Sequence, residues 1–166
     1  MARVLKPLVI DAGQVRQLGS GETLDAVVSA KEVVTVTGVS GVAIPLGALV
    51  YIDSSGTLNL CNASAAASSY PIGFVRGAAD GSTGPWTAAS LEVQTDGAYV
   101  GDSTVWNAIL GSNTLTPGAK YYASATDAGD ISASAPTGST HYVVPIGRAI
   151  SATTMYIEIG EPIKLA

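Results

Sequence analysis

The tripeptide Pro-Ile-Gly occurs twice in this chain, and each copy is followed by an apolar run typical of a strand. The copies lie at Pro71–Gly73 and Pro145–Gly147. Proline is best tolerated at the first residue of a strand or at a sheet edge, because it has no N–H to donate to the ladder. A glycine two positions later suits a bulge or a close approach of another backbone. The repeated tripeptide therefore predicts repeated sheet architecture, not a catalytic motif.

The sequences around the two tripeptides also match, and the offset between matched residues changes only slightly from turn to turn. It is 71 residues before the first hairpin turn, 73 after it, 74 at Pro-Ile-Gly and 64 in the following strand. The matched pairs are Gly47 and Gly118, Tyr51 and Tyr122, Gly56 and Gly129, Pro71 and Pro145, and Leu91 and Met155. One larger insertion, residues 77–90, occurs in the first copy. Insertions confined to loops are typical of a duplicated structural unit.

Strand signals dominate the chain, and helical spacing of apolar residues is nearly absent. We expect about eight to ten short strands in an all-β fold, a compact barrel or sandwich built from two similar units. The predicted strand segments lie in residues 33–39, 48–53, 57–62, 70–75, 90–97, 120–125, 131–135, 141–150 and 154–160. The expected organisation is an extended N-terminal arm (1–31), a first β unit (32–97), a connector (98–112) and a second β unit (113–166). Each unit of about 50 residues is marginal alone, which favours one compact domain.

Composition limits the classes of function. Of 166 residues, 47% are hydrophobic and 13% are charged, so the chain can bury a core and has about half the usual charged share. A surface rich in Ser, Thr and Ala with few charges is typical of chains that bury much of their surface in contacts with other chains. The net charge of −5 argues against non-specific nucleic-acid binding, which needs a basic face. Residues 1–31 carry +1 and the remainder carries −6.

The sequence predicts a soluble protein that matures in a reducing cytoplasm. Cys61 is the single cysteine, so an internal disulfide and a cysteine metal site are excluded. No apolar run approaches the roughly 20 residues that span a bilayer, and the first residues lack the apolar core of a signal peptide.

Motifs for catalysis, cofactors or metals are weak. His141 is the only histidine, and no Gly-x-Ser-x-Gly elbow or phosphate-binding Gly-Lys-Ser/Thr occurs. We interpret Cys61 as a small apolar residue, because a nucleophile needs a low pKa. Asp127 and Asp130 have the chemistry for a weak calcium site, but a plain turn is favoured because the first copy has Asp-Ser-Ser-Gly there. We therefore expect no enzyme activity, cofactor or metal.

Two groups of residues are candidates for contact with partners. Trp86 and Trp106 lie in loop-like, Gly- and Ser-rich surroundings, where they either stack on a sugar or a partner protein or pack over the barrel mouth or an oligomer seam. Together with Tyr99 they are the candidates for exposed aromatic contact. The arm is not duplicated, and it either reaches a neighbouring subunit or adds an edge strand to its own domain. Its predicted capsid or subunit contacts are Arg3, Val4, Leu5, Lys6, Pro7, Leu8, Val9, Ile10 and Arg16.

The pattern in "VRQLGSGETLDA", "LVYIDSSGTLNLCNASAAASSYPIGFV" and "LTPGAKYYASATDAGDISASAPTGSTHYVVPIGRAISATTMYIEIG" resembles structural proteins of tailed-bacteriophage virions. It is most similar to the head-decoration, or cement, proteins that bind capsids. The resemblance covers roughly residues 10–25 and 42–162. It implies an all-β protein without catalytic residues, often a trimer on the capsid surface.

The resemblance implies a function in which the protein binds the major capsid protein on the outside of the head and stabilises the lattice by non-covalent contacts. It would self-associate as a homotrimer, bind neither nucleic acid nor membrane, and reside on the virion after assembly in the host cytoplasm. The alternative is a tail-fibre, collar or other virion-surface module that binds a host receptor or glycan.

Overall fold

The computed structural model of the protein describes residues 8–11, 14–17 and 32–166. The described residues are mostly β, with fourteen strands and one α-helix, so the predicted all-β class is confirmed. In the first ranges, β1 (Leu8–Asp11) pairs antiparallel with β2 (Gln14–Gln17). No helix among the described residues is long and apolar enough to cross a membrane.

Two five-stranded antiparallel sheets make up most of residues 32–166. The first sheet consists of β3 (Val33–Thr37), β4 (Leu49–Ile52), β5 (Leu58–Leu60), β6 (Gly73–Ala78) and β7 (Ser90–Gln94). The second consists of β8 (Gly97–Val100), β9 (Lys120–Ala123), β10 (Ile131–Ser132), β12 (Pro145–Ala149) and β13 (Thr154–Ile157). A short separate pair joins β11 (Tyr142–Val143) to β14 (Ile163–Lys164). A single 3₁₀ turn lies at Ala66–Ser68.

The two sheets have the same strand order. The first runs β3-β7-β6-β4-β5 and the second runs β8-β13-β12-β9-β10, so each strand of one has a counterpart at the same place in the other. Equivalent hydrogen bonds hold the residues before β4 and before β9 against the neighbouring strand. Gly47 N–H donates to Val75 O in β6 at 2.9 Å, and Gly118 N–H donates to Ala149 O in β12 at 2.8 Å. The division into 1–31, 32–97, 98–112 and 113–166 stays a prediction. By pairing, β8 belongs to the second sheet although it begins at Gly97.

The glycine of each Pro-Ile-Gly lies where the neighbouring strand comes very close. A Cβ on Gly73 would overlap the carbonyl oxygen of Gln94, and a Cβ on Gly147 would overlap that of Tyr156. Both glycines lie on the central part of their sheets, in β6 and β12. The sequence repeats this glycine because both sheets need the same close backbone contact.

Two apolar clusters lie on opposite sides of the first sheet. Leu49 and Phe74 are cross-strand neighbours in the larger cluster, which the second sheet shares through residues such as Ile146 and Met155. Val50 and Val75 belong to the smaller cluster. We call the larger one the shared core and the smaller one the end core.

The insertion at residues 77–90 covers the end core. Trp86 belongs to that cluster, and it exchanges two backbone hydrogen bonds with Ile44, at 2.8 and 3.0 Å. The extra loop of the first copy therefore covers the end-core residues, such as Val50 and Val75, on the outer face of the first sheet.

The helix α1 (Ser103–Leu110) was not expected from the sequence. The Asp102 carboxylate accepts hydrogen bonds from the N–H groups of Thr104 and Val105 at 2.9 and 3.0 Å, which satisfies donors at the helix start. Gly111 ends the helix in the left-handed conformation. Three residues of α1, Val105, Trp106 and Ile109, enter the shared core.

The turn between β9 and β10 joins the second sheet to the first. Gly129 N–H donates to Cys61 O at 2.7 Å, and Gly129 O accepts from Leu49 N–H at 2.8 Å. A Cβ on Gly129 would lie 2.8 Å from Leu60 Cδ2. At the equivalent Gly56, a Cβ would meet nothing within 4 Å, so only the second turn forms this contact.

We predict that Gly129→Ala destabilises the protein more than Gly56→Ala. Both glycines have positive φ, +87° and +80°, so both substitutions carry similar backbone strain of about 1 kcal/mol. Only at position 129 does the new methyl group approach Leu60 Cδ2 within 2.8 Å. Because that side chain end can shift, we expect an extra loss of about 1 kcal/mol. Urea denaturation of the two variants measures the difference, and equal losses would contradict this contact between the sheets.

Candidate interaction surface

Groups capable of catalysis are dispersed in the described part of the chain. Residues 32–166 contain no cluster of three or more His, Cys, Asp or Glu side chains that could hold a metal ion. Cys61 is buried, and burial raises the pKa of its thiol to about 12, which disfavours the reactive thiolate.

The turn that carries Asp127 and Asp130 is closed by its own hydrogen bonds. The Ser124 hydroxyl oxygen accepts from the N–H groups of Thr126 and Asp127, both at 3.1 Å. Asp53, the counterpart of Ser124 in the first copy, accepts from Ser55 N–H at 2.9 Å in the same way. These contacts are those of a turn.

The prediction of exposed aromatic contacts at Trp86, Tyr99 and Trp106 is wrong. Their exposed fractions are 7%, 3% and 0%. Tyr99 packs against Phe74 and Trp106, with ring centroids 5.2 and 5.8 Å apart, and donates its hydroxyl to Val75 O at 3.0 Å. Trp106 donates through Nε1 to Thr153 O at 3.2 Å. The unexpected helix turns Trp106 into the shared core, and the 77–90 loop folds Trp86 onto the end core.

The predicted arm contacts are only partly within the described residues. Arg3, Val4, Leu5, Lys6 and Pro7 lie outside them. Leu8, Val9 and Ile10 belong to β1 and Arg16 belongs to β2, with Val9 paired to Arg16. Their role in binding a capsid or another subunit stays a prediction.

Strand β3 is the outermost strand of the first sheet and exposes a valine side chain on each of its faces. Val33 and Val34 point to opposite faces and are 38% and 41% exposed. Its counterpart β8 has Tyr99 buried in the shared core. Within residues 32–166, β3 pairs with β7 alone.

A groove runs beside β3. It has a volume of about 630 Å³ and is lined by Glu32, by residues 34–37 of β3, and by Ile52, Gly56, Ile72 and Thr95. Ile52 is 43% exposed. We call these lining residues the β3 groove.

Edge strands with this composition are unusual, because they are prone to pair with other chains. Natural sheets protect edges with charged residues, proline, bulges or a covering segment, whereas β3 reads Val-Val-Thr-Val-Thr. The sequence predicted β3 as a strand but did not select it as a contact. Five consecutive β-branched residues without a charge were the signal that could have identified it.

The outward face of the second sheet carries basic and tyrosine side chains, with the exposed Val100 of β8 at its edge. Lys120 and Arg148 are exposed and are cross-strand neighbours. Tyr156 pairs with Arg148 on the other side and is 41% exposed, and Tyr122 is half-buried. We call Lys120, Tyr122, Arg148 and Tyr156 the open face.

A cleft of about 470 Å³ lies between the 77–90 loop and α1, with Arg76, Trp86 and Asp102 in its lining. Its groups are engaged in the fold. Asp102 caps α1, and Trp86 Nε1 donates to the Ser82 hydroxyl at 3.1 Å. The cleft therefore lacks a free buried polar group to orient a ligand.

Comparison of the chain with known protein families, with curated proteins and with solved structures found no match.

We predict that Trp86→Ala destabilises the protein by about 3–5 kcal/mol, because it removes a large buried side chain from the end core. Tyr70→Ala is the control, since Tyr70 is 58% exposed and its loss should change stability by less than about 0.5 kcal/mol. Guanidinium denaturation measures both values, and similar losses for the two variants would contradict the covering role of the loop.

The carboxyl group of Asp130 is predicted to make stability fall as pH rises. Burial, and then the charge of Asp127, raise its pKa from 3.8 to about 6. The folded state thus favours the neutral acid, and this contribution is complete below pH 3.8 and lost as pH rises through 6. Because the group is partly solvated, we expect a loss of about 1 kcal/mol.

Asp130→Asn should therefore raise stability at pH 7 relative to pH 4, measured by thermal denaturation at both values. Asp53→Asn is the control of opposite sign. Hydrogen bonds from the Ser55 hydroxyl and the Thr57 N–H hold the pKa of Asp53 below its ordinary value, so its contribution is lost as pH falls. A pH-independent effect of Asp130→Asn would contradict the raised pKa.

Proposed function

We propose that this chain is a capsid decoration protein of a tailed bacteriophage, which binds the outside of the head and stabilises the capsid lattice by non-covalent contacts. The observation that carries the proposal is β3, an edge strand with apolar side chains exposed on both faces. Such a strand supports a protein that works by contact with other proteins.

The position of β3 along the chain strengthens this argument. It begins at Val33, directly after the segment 1–31 that is predicted to be the arm. A partner that binds the arm is therefore brought to the β3 groove, where an added strand can pair with the edge of β3 that has no strand partner within residues 32–166. Arm and groove form one continuous contact region in the proposal.

The folded body supplies a rigid platform for this contact. The sheets share one core, and the turn at Gly129 fixes them together. A rigid body loses little conformational freedom on binding, which favours affinity.

Stabilisation of the capsid follows from binding alone. A protein that binds only the mature lattice stabilises it by mass action. In the proposal the chains associate as homotrimers, and many of these bind one capsid. The total binding is then strong even if the affinity of each copy is modest. The proposal includes no catalysis, cofactor, nucleic acid or membrane, and it locates the protein on the virion after assembly in the host cytoplasm.

The alternative proposal, a tail-fibre, collar or other surface module for a host receptor or glycan, has less support. Glycan binding commonly uses exposed aromatic rings as stacking platforms, and the three rings chosen for that role are buried. The capsid proposal does not need those rings to be exposed.

The proposal predicts that purified protein co-sediments with expanded empty capsids. Val34→Lys should weaken this binding by about tenfold or more, because a charge on an open edge opposes strand addition. Val42→Lys is the matched control, since Val42 is 53% exposed in a loop. Deletion of residues 1–10 should abolish binding while circular dichroism stays unchanged.

Each outcome has a distinct meaning. Absence of co-sedimentation for the wild-type protein, together with binding to host cells, would favour the alternative. Unchanged binding after the deletion would remove the arm from the mechanism, and equal binding by Val34→Lys and Val42→Lys would remove the β3 groove.

A further inference from the structure

The internal duplication allows the same face of the two sheets to be compared. In the first sheet, the cross-strand neighbours Leu49 and Phe74 are completely buried in the shared core. The second half of the chain covers this face. It is therefore a face that receives another folded unit.

At the equivalent positions of the second sheet, both residues are basic. Lys120 follows Leu49 by 71 residues and Arg148 follows Phe74 by 74, which are the offsets of the matched segments. Lys120 and Arg148 are also cross-strand neighbours, but both are exposed. The apolar pair of one copy is thus a basic pair in the other.

This placement of two cations has a cost. Like charges directly opposite each other on neighbouring strands destabilise a sheet. Residues 32–166 contain only four basic residues against ten acidic ones, yet two of the four are adjacent. A polar face needs no such pair to stay soluble, so the pair indicates a function for concentrated positive charge.

The surroundings of the pair have the composition of a protein interface. Tyr156 and Tyr122 flank Arg148 and Lys120, and tyrosine and arginine are enriched among residues that dominate binding energy. Arg148 donates through Nη1 to Gly118 O at 2.6 Å. This bond orients the guanidinium group before a partner arrives, which reduces the entropy lost on binding.

We propose that the open face binds an acidic surface of a folded partner protein, with Lys120 and Arg148 contacting its carboxylates. This inference rests on the proposed function, in which the partner is the capsid shell. The exposed Glu158, two residues after Tyr156, limits the basic surface to this pair. A protein is favoured over a nucleic acid because nucleic-acid binding uses a broad basic face that neutralises several phosphates.

The test compares Lys120→Glu/Arg148→Glu with the control Arg76→Glu/Lys164→Glu. Arg76 and Lys164 are exposed and lie on β6 and β14, so both double variants change the net charge equally. The first probe is co-sedimentation with expanded empty capsids, and the second is retention on immobilised poly-L-glutamate. Circular dichroism checks that both variants fold.

We expect the Lys120/Arg148 variant to lose about tenfold or more in capsid affinity and to lose retention on poly-L-glutamate, while the control behaves like the wild type. Wild-type affinity should fall between 50 and 300 mM salt, in keeping with a Debye length of about 10 Å at 0.1 M. Equal capsid binding by the two variants and the wild type would overturn the inference and leave capsid decoration standing. Equal losses in both variants would also overturn it, as an effect of net charge alone.

Failure of the wild-type protein to bind capsids would refute the proposed function instead. Retention on poly-L-glutamate then decides the inference: loss confined to the Lys120/Arg148 variant supports an acidic partner outside the capsid, and equal retention overturns it. Binding to oligothymidine that exceeds binding to poly-L-glutamate would overturn the assignment to a protein.

Discussion

The burial of Leu49 and Phe74 under the second half of the chain is the contact on which the rest of the structure depends. An antiparallel sheet must cover at least one apolar face, and the first sheet has apolar residues on both of its faces. One face is covered by the second sheet and α1, and the other by the loop that carries Trp86. In the second sheet only the inner face is covered, because it packs against the first sheet in the shared core. Its outer face, which carries Lys120 and Arg148, is exposed to solvent.

This arrangement explains why the two copies differ where they do. The first copy needs the 77–90 insertion because its end core would otherwise be exposed, whereas the second needs no such loop because its inner face meets the first sheet. The two copies also differ in the connection between their first two strands along the chain, which are β3 and β4 in the first copy and β8 and β9 in the second. In the second copy it contains α1, whose Val105, Trp106 and Ile109 fill space between the sheets.

Much of the fold was predictable because its signals are local. A run of β-branched residues indicated β3, and alternation of apolar and polar residues indicated β7. The repeated glycines indicated the corresponding turns. Helix α1 was missed because it spans only eight residues, although Asp102 and Gly111 are good capping residues at its ends. The burial of Trp86, Tyr99 and Trp106 depends on contacts distant in sequence, which periodicity does not report. The basic pair of the open face could have been predicted from the sequence, because the matched offsets pair Leu49 with Lys120 and Phe74 with Arg148.

The loop over the end core also limits growth of the assembly. A face like that of Val50 and Val75, left bare, would accept the outer sheet of another copy in head-to-tail fashion, and a non-closing contact of that kind generates filaments. Trp86 covers the end core on the first sheet. Lys120 and Arg148 place two positive charges on the outer face of the second sheet, which therefore does not pack against an apolar surface. The contact that joins the two sheets within one chain is therefore not repeated between chains through these two faces.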